Sequence, residues 1–311
     1  MDWLDTNVLV TGATGLVGQS LTRALIIRKV KPVILVRDGV PLMYQFTDTC
    51  TIVRGDIRDQ ALIERVLNEY AIDVVFHLAA QADVIFANQH PANAFSVNIT
   101  GTVSLLEAVR RIQPGAMVVI ASSDKAYGDS DRLPYTEDTP LEGRNPYDCS
   151  KSCADLVALS YLHTFGLRVA ITRCGNIYGG GDLDWKRLVP NTVRRLLRGQ
   201  TPVIYGCGTE TRDFFYVGDT VEAYLMLVEK DARGPYNFSM GEEITVRRMI
   251  ETICQIMSVP VHVQTLNNPQ GMIANQVLDS SKARHELGWK PLYTLEEGLR
   301  KTIDWYRDYL A

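Results

Sequence analysis

Long apolar runs are missing from this sequence: none approaches the ~18 residues that a bilayer-spanning helix requires. A basic start leading into an apolar stretch and a small-residue cleavage site is missing too, since the chain opens Met-Asp-Trp-Leu-Asp. The expectation is a cytoplasmic protein with no membrane partner. Charge of one sign is not in excess. The 32 Lys and Arg and 36 Asp and Glu are mixed along the chain and give a formal net charge of −4, so no electrostatic footprint marks a nucleic-acid partner. Cysteine is scarce, six residues with no paired metal-ligand spacing. Cys149 and Cys153, one helical turn apart, read as packing residues, and reduced thiols suit the cytoplasm. With only five scattered histidines, no metal site is expected. Internal repeats and low-complexity tracts are lacking, which excludes a solenoid or a disordered linker.

What the chain has is rhythm. Short, nearly continuous apolar runs recur at Val8-Leu9-Val10, Val33-Ile34-Leu35-Val36, Val74-Val75-Phe76, Val118-Val119-Ile120 and Val169-Ala170-Ile171. Continuity, as opposed to alternation, marks strands buried on both faces. Segments of helical period lie between them, at Leu16 to Arg28, Ala61 to Tyr70 and Asn93 to Ile112. Repeated strand and helix demand a parallel sheet with right-handed crossovers. The fold class is therefore α/β, a Rossmann-type doubly wound parallel sheet. After about Arg173 the rhythm breaks into Gly- and Pro-rich connections, ending in a helical stretch from Leu295 to Tyr309. Residues 1–172 read as a dinucleotide-binding domain to which the chain returns around 212–235, and residues 173–311 mainly as a smaller α/β substrate lobe.

The stretch "VTGATGLVG" follows the first strand, with Gly12, Gly15 and Gly18 spaced three apart before a helix. Glycine lets the backbone approach a pyrophosphate, whose charge the free N–H groups and dipole of a helix start stabilise. Asp38, twenty residues past Gly18 at the end of the second strand, is placed for the adenosine ribose and favours NAD. Arg37 beside it is suited to a 2′-phosphate, which keeps NADP as the alternative. Asp56 in "GDIRD" is a candidate for the adenine amino group or a surface-turn residue. Leu16 and Val17 at the helix start, Ile57 beside Asp56, and Ala79, Ala80 and Gln81 complete the candidate cofactor set. Downstream, Tyr147 and Lys151 of "PYDCSK" stand four apart on one helix face. An ammonium near a phenol lowers its pKa toward the working range of a base.

The motifs "TGATGLVG", "HLAAQ", "SSDKAYG", "PYDCSK" and "RCGNIYGGGD", in that order over nearly the whole chain, resemble the extended short-chain dehydrogenase/reductase superfamily. Within it the sequence is most similar to nucleotide-sugar 4,6-dehydratases of the CDP-glucose type. The resemblance implies that Ser123 polarises the sugar C4 oxygen, that Tyr147 removes the O4 proton, and that Lys151 also binds the nicotinamide ribose. It places Asp124 at the position of the acid that protonates the departing C6 hydroxyl. Lys125 stands where the dTDP-glucose branch usually has glutamate, and resembles the lysine of the CDP-glucose branch that takes the C5 proton. Members that only epimerise C4 usually carry small or uncharged residues there, so a 4-epimerase is the alternative reading. Both roles need strongly shifted pKa values, because the carboxylic acid must hold its proton and the lysine must lose one. CDP-glucose is the favoured substrate, with UDP-, GDP- and dTDP-sugars open.

On the substrate side, the resemblance places Asn176 on the substrate diphosphate and Arg212 of "RDFFYVGD" on the nucleotide portion, a role that suits the planar guanidinium fork. Helix capping and a surface ion pair are the respective plainer readings. Gln81 is placed to touch either nicotinamide or sugar. Asn98 is expected to fix backbone geometry near the site, and His77, ending an apolar strand, to be a satisfied core histidine. The helix carrying Lys151 continues with Leu156, Val157, Leu159, Tyr161, Leu162 and Phe165 around most of its circumference. A helix apolar on most sides must be covered on more than its sheet face. A homodimer built on this helix and the one around Leu105 to Ile112 is expected.

Overall fold

The computed structural model describes residues 2–37, 46, 48–130, 132–266 and 273–311. Its first half runs β1 (Val8–Thr11), α1 (Leu16–Ile27), β2 (Val33–Val36), β3 (Thr51–Arg54), α2 (Gln60–Glu69) and β4 (Val74–His77). It continues through the short α3 (Val84–Gln89) and α4 (Pro91–Phe95), then α5 (Gly101–Ile112), β5 (Met117–Ala121), α6 (Pro146–Phe165) and β6 (Arg168–Cys174). Every residue of β1, β2 and β4 is buried, as strands covered on both faces must be. β3 is the partly exposed edge. One turn of π-helix, Ser96–Thr100, joins α4 to α5.

The second half contains β7 (Asn176–Tyr178), α7 (Leu188–Leu197), β8 (Val203–Tyr205), β9 (Thr211–Arg212), β10 (Phe214–Tyr216), α8 (Val217–Glu229) and β11 (Gly234–Phe238). β12 (Ile244–Thr245), α9 (Val246–Met257), β13 (Gln264–Leu266), α10 (Ser281–Leu287) and α11 (Leu295–Leu310) complete it. Among the described residues, seven parallel strands make the main sheet in the order β11-β6-β5-β4-β1-β2-β3. α8 and β11 carry the chain back to that sheet. The fold is an α/β Rossmann-type sheet with a second group of elements beside it.

Alternation within the strands supplies two cores. Val8, Val10 and Ile34 pack with Leu21 and Leu25 of α1 and Val221 and Leu225 of α8. Leu9, Leu35 and Val75 point to the opposite face, against Ile63 of α2, Leu105 and Val109 of α5, and Ala158 of α6. A third core, including Val193, Phe214, Met249, Leu299 and Tyr306, joins α7, β10, α9 and α11. The strand order turns between β1 and β4, and a crevice at the carboxyl ends of the strands on either side of such a point is where this architecture holds ligands. The loops after β1, β4 and β5 all open there.

Candidate active site

The loop after β1 is shaped by what its glycines make room for. Gly12 has φ +72°, and a Cβ on it would lie 2.6 Å from the carbonyl carbon of Leu78. A Cβ on Gly18 would strike the Gly12 carbonyl. Gly15 caps α1 with no side-chain hydrogen bond, so the first N–H groups of the helix, at Leu16 and Val17, face the loop without a capping side chain. This cradle fits a diphosphate. Arg37 is exposed at the end of β2, and Asp38 lies outside the described residues. The carboxylate of Asp56 receives Arg58 through two nitrogens at 2.7 and 2.8 Å and the Arg58 backbone N–H at 2.9 Å. The Arg58 hydrogen bond holds it below the usual carboxylate range. Ile57 is buried against Gly101, where a Cβ would meet its methyl at 2.8 Å.

His77, at the end of β4, ties this loop to the catalytic helix. The Ala79 N–H donates to Thr11 Oγ1 at 3.2 Å, and Thr11 Oγ1 lies 2.9 Å from His77 Nδ1. Thr102 Oγ1, 3.1 Å from His77 Nε2, already donates to the Asn98 carbonyl at 2.7 Å. Its remaining capacity is as an acceptor, which assigns the imidazole proton to Nε2 and makes Nδ1 the acceptor. Burial pushes the His77 pKa down to about 3, with the Lys151 charge adding to it, so the ring stays neutral. Asn98 accepts the Gln81 N–H at 2.7 Å and donates to the Gln81 carbonyl at 3.2 Å and to Ser150 Oγ at 2.8 Å. Ser150 Oγ in turn donates to the Tyr147 carbonyl at 2.7 Å. Asn98 thus fixes backbone geometry, as its position in the sequence suggested.

The apolar strand β5 runs into charge at a single 3-10 turn, Asp124–Tyr127, capped by Ser123. Ser123 Oγ donates to Asp124 Oδ1 at 3.1 Å and accepts the Lys125 N–H at 3.2 Å. Asp124 is buried, and Lys125 Nζ lies 3.3 Å from both of its carboxylate oxygens. Lys125 also donates to the side-chain oxygen of Gln276. Burial pulls the Lys125 pKa down, against the Asp124 carboxylate, while the Arg212 charge adds to the fall. Tyr147 is buried and shares a hydrogen bond with the Ser123 side chain. Its pKa is pushed up to about 12, first by burial and then by the Asp124 carboxylate.

Lys151, one helical turn from Tyr147, reaches toward the end of β5. Its ammonium turns to the Ala121 carbonyl at 2.7 Å, and its own pKa is pulled down to about 8 by burial, against the Asp155 carboxylate. Lys151, Ala79 and Ala80 line one small cavity with His77, Ser122 and Asp155. Ser122 Oγ is buried there with no hydrogen-bond partner among the described residues.

Several residues at this site escape a motif reading. Asp148 is buried beside Tyr147, accepts from Asn145 Nδ2 at 3.2 Å, and has its pKa raised to about 6 by burial, opposed by the Lys125 charge. Asp155 binds Arg173 through two bonds of 2.8 Å, both side chains buried. Arg173 continues to Tyr127 Oη and the Glu137 carbonyl, each at 3.0 Å. A charge inside each of the apolar runs "CADLVAL" and "VAITRC" is the sequence signal for that pair. Gln276 carries no such signal. On the substrate side, Arg212 is buried and donates to the carbonyls of Thr211, Ile273 and Ala274 at 2.7 to 2.8 Å. Asn176 opens β7 half-buried, its N–H on the Asp213 carbonyl at 2.7 Å. Gln81 Oε1 accepts the Asp83 N–H at 3.2 Å. Among the described residues, no cluster of His, Cys, Asp and Glu is disposed to hold a metal ion, and no helix is long and apolar enough to cross a membrane.

The sequence model of the family described as GDP-mannose 4,6 dehydratase matches residues 9–302. The chain belongs to that family. A dTDP-glucose 4,6-dehydratase of Mycobacterium tuberculosis is 31% identical over 97% of this chain and 93% of its own length. The structure of a UDP-glucose 4-epimerase from Thermotoga maritima, solved with UDP-glucose, matches with a TM-score of 0.93 at 28% identity, covering 98% of this chain and 100% of that one. A dTDP-glucose 4,6-dehydratase from Streptomyces venezuelae, solved with NAD bound, matches at 0.89 and 30% identity over 97% of each chain. The proteins to which this chain is similar thus include nucleotide-sugar dehydratases and epimerases.

Proposed function

We propose that the protein is a nucleotide-hexose 4,6-dehydratase, and the Asp124–Lys125 ion pair beside Ser123 and Tyr147 is the observation that carries this reading. Gly12, Gly15 and Gly18 and the start of α1 at Leu16 and Val17 would hold the NAD diphosphate. Asp56 and Ile57 would lie toward the adenosine, as would Arg37 and Asp38, and Ala79, Ala80, Gln81, Tyr147 and Lys151 toward the nicotinamide. NAD supplies the hydride acceptor and, later, the donor.

The chain's own residues handle protons. Ser123 would donate to the sugar O4 while Tyr147 would take the O4 proton as phenolate, a form that burial and the Asp124 carboxylate oppose and that a nearby positive charge, such as the oxidised nicotinamide ring, would favour. Once C4 is a ketone the C5 proton is acidified, and Lys125, as the neutral amine, removes it. Asp124 gives its proton to the C6 oxygen, the C6–O bond breaks, water leaves and a C5=C6 double bond forms. Reduction at C6 and return of a proton to C5 leave an NDP-4-keto-6-deoxyhexose. The proton first taken from O4 balances the one Asp124 has lost. Asn176 and Arg212 would hold the diphosphate and nucleotide of the substrate, with Gln81 near the sugar. CDP-glucose is the first substrate to try, on the strength of Lys125. A homodimer across α5 and α6 belongs to the same reading.

A second reading, 4-epimerisation, is favoured by the likeness to the Thermotoga enzyme. Incubation with NAD and CDP-, dTDP-, UDP- or GDP-hexoses separates the two, with products followed by mass spectrometry and proton NMR. Loss of one water and a new C6 methyl signal are expected. Unchanged mass with inverted C4 would establish the epimerase and overturn the dehydratase.

A further inference from the structure

We propose that Gln276 is a positioning residue for Lys125, aiming its amine at the substrate C5 proton through a hydrogen bond that adds no charge. The inference rests on the dehydratase reading. Gln276 lies 151 residues from Lys125 in sequence and is fully buried. Its amide bridges the charged turn: Oε1 accepts from Lys125 Nζ, and Nε2 donates to the Asp124 carbonyl at 3.4 Å. These two partners fix the amide orientation, because a flip would set its NH2 against the ammonium and its oxygen against a carbonyl. The segment that carries it is tied down on both sides. Arg212 donates to the carbonyls of Ile273 and Ala274, the Gln276 N–H to the Thr211 carbonyl at 3.2 Å, and the Tyr135 N–H to the Val277 carbonyl at 2.9 Å.

The chemistry explains why an amide serves here. Lys125 must pass between ammonium and amine, and a carboxamide oxygen accepts an N–H from either form. A carboxylate in the same place would favour the ammonium and hold the proton. Among the described residues, the charged and titratable groups that act on the Asp124–Lys125 pair or feel its charge include Asp148 and Tyr147 of α6, Arg212 of β9, Cys174 of β6, and Tyr135. In the ion pair one proton is shared and rests on Lys125. Moving it to Asp124 yields the amine and the carboxylic acid with no change in net charge. Elimination then takes the C5 proton onto Lys125 and passes the Asp124 proton to the leaving oxygen, restoring the ion pair. The active state of the pair holds one proton, so gaining a second at low pH or losing the first at high pH stops elimination and gives a bell-shaped profile.

The test compares wild type, Gln276→Glu and Gln276→Met with CDP-glucose and dTDP-glucose, following formation of the 4-keto-6-deoxy product against pH. Gln276→Glu is expected to move both limbs upward by about one pH unit or more and to lower the plateau. Gln276→Met is expected to lower kcat by about 10-fold or more while leaving KM within about 2-fold, as loss of an interaction made on the way to the transition state does. Thermal melting with NAD confirms that each variant is folded. If wild type dehydrates its substrate and Gln276→Glu only lowers the plateau, with both limbs in place, Gln276 is merely structural and the inference falls. A wild type that dehydrates neither sugar overturns the dehydratase reading and this inference with it.

Discussion

Asp148 shows how one side chain can work against the fold that holds it. A carboxyl group whose pKa rises from 3.8 to about 6 on folding is held more tightly as the acid in the native state. The native state therefore binds more protons between those values, and stability falls as pH rises through that window. Above pH 6 the penalty is complete and constant, on the order of 2–3 kcal/mol for a shift of this size. Asp148→Asn removes the titration while keeping an oxygen for Asn145. It should raise the urea midpoint at pH 7.5 by a corresponding amount, and the gain should shrink toward nothing near pH 4. An equal gain at both values would mean that the charge is not what costs. Residues that destabilise a fold in this way cluster where chemistry is done, and Asp148 directly follows Tyr147.

At the scale of elements, α6 is organised by two faces. Tyr147 and Lys151 share one. Asp148, Ser152 and Asp155 share the next, with Ser152 Oγ donating to the Ala126 carbonyl at 2.7 Å, so the 3-10 turn is bolted to the helix. The Asp155–Arg173 pair extends that bolt through Tyr127 to Asn237, which accepts from Tyr127 Oη at 2.7 Å. Asp155→Asn leaves the Arg173 guanidinium buried with its charge unmatched, which should cost about 3–5 kcal/mol. Chemical denaturation of apo protein would register that loss, whereas a cost below about 1 kcal/mol would mean that water reaches the pair. Five strands of the main sheet, α1, α2 and the motif loops were legible in the sequence because period and spacing are local properties, whereas most of the short strands after Arg173 carry no continuous apolar run. The Asp124–Lys125 turn was legible because charge at the end of a buried strand is conspicuous. Gln276 was not, since a lone amide in "ANQVLD" acquires its meaning only when the chain folds back across 151 residues. The partner of the Lys151 ammonium, the Ala121 carbonyl, was equally invisible. Spacing put Lys151 and Tyr147 on one face, but the carbonyl at the end of β5 competes for the ammonium.

At the scale of the whole molecule, α6 leaves the large apolar side chains of Leu156 and Phe165 exposed. α5 and α6 lie side by side on the same face of the sheet, joined by Tyr161 Oη on Glu107 at 3.1 Å and by the Arg110 guanidinium 5.1 Å from the Phe165 ring centre. α6 also carries Cys149, Cys153 and Leu156 at helical spacing, the two cysteines half-buried and Leu156 53% exposed. The inner side of α6 is already engaged with the sheet and the 3-10 turn. A second copy laying the same two helices across this stripe would bury it by two-fold symmetry, each residue meeting its own surface. Leu156→Glu places a charge at the centre of that contact. Equilibrium sedimentation at micromolar concentration should show a dimer for wild type and a monomer for the variant. NAD binding should be unchanged in both, because Leu156 is exposed and does not line the cavity beside Lys151. A wild-type monomer would mean that this stripe stays in water, and that the burial of α6 on its sheet side suffices to hold the catalytic face in place.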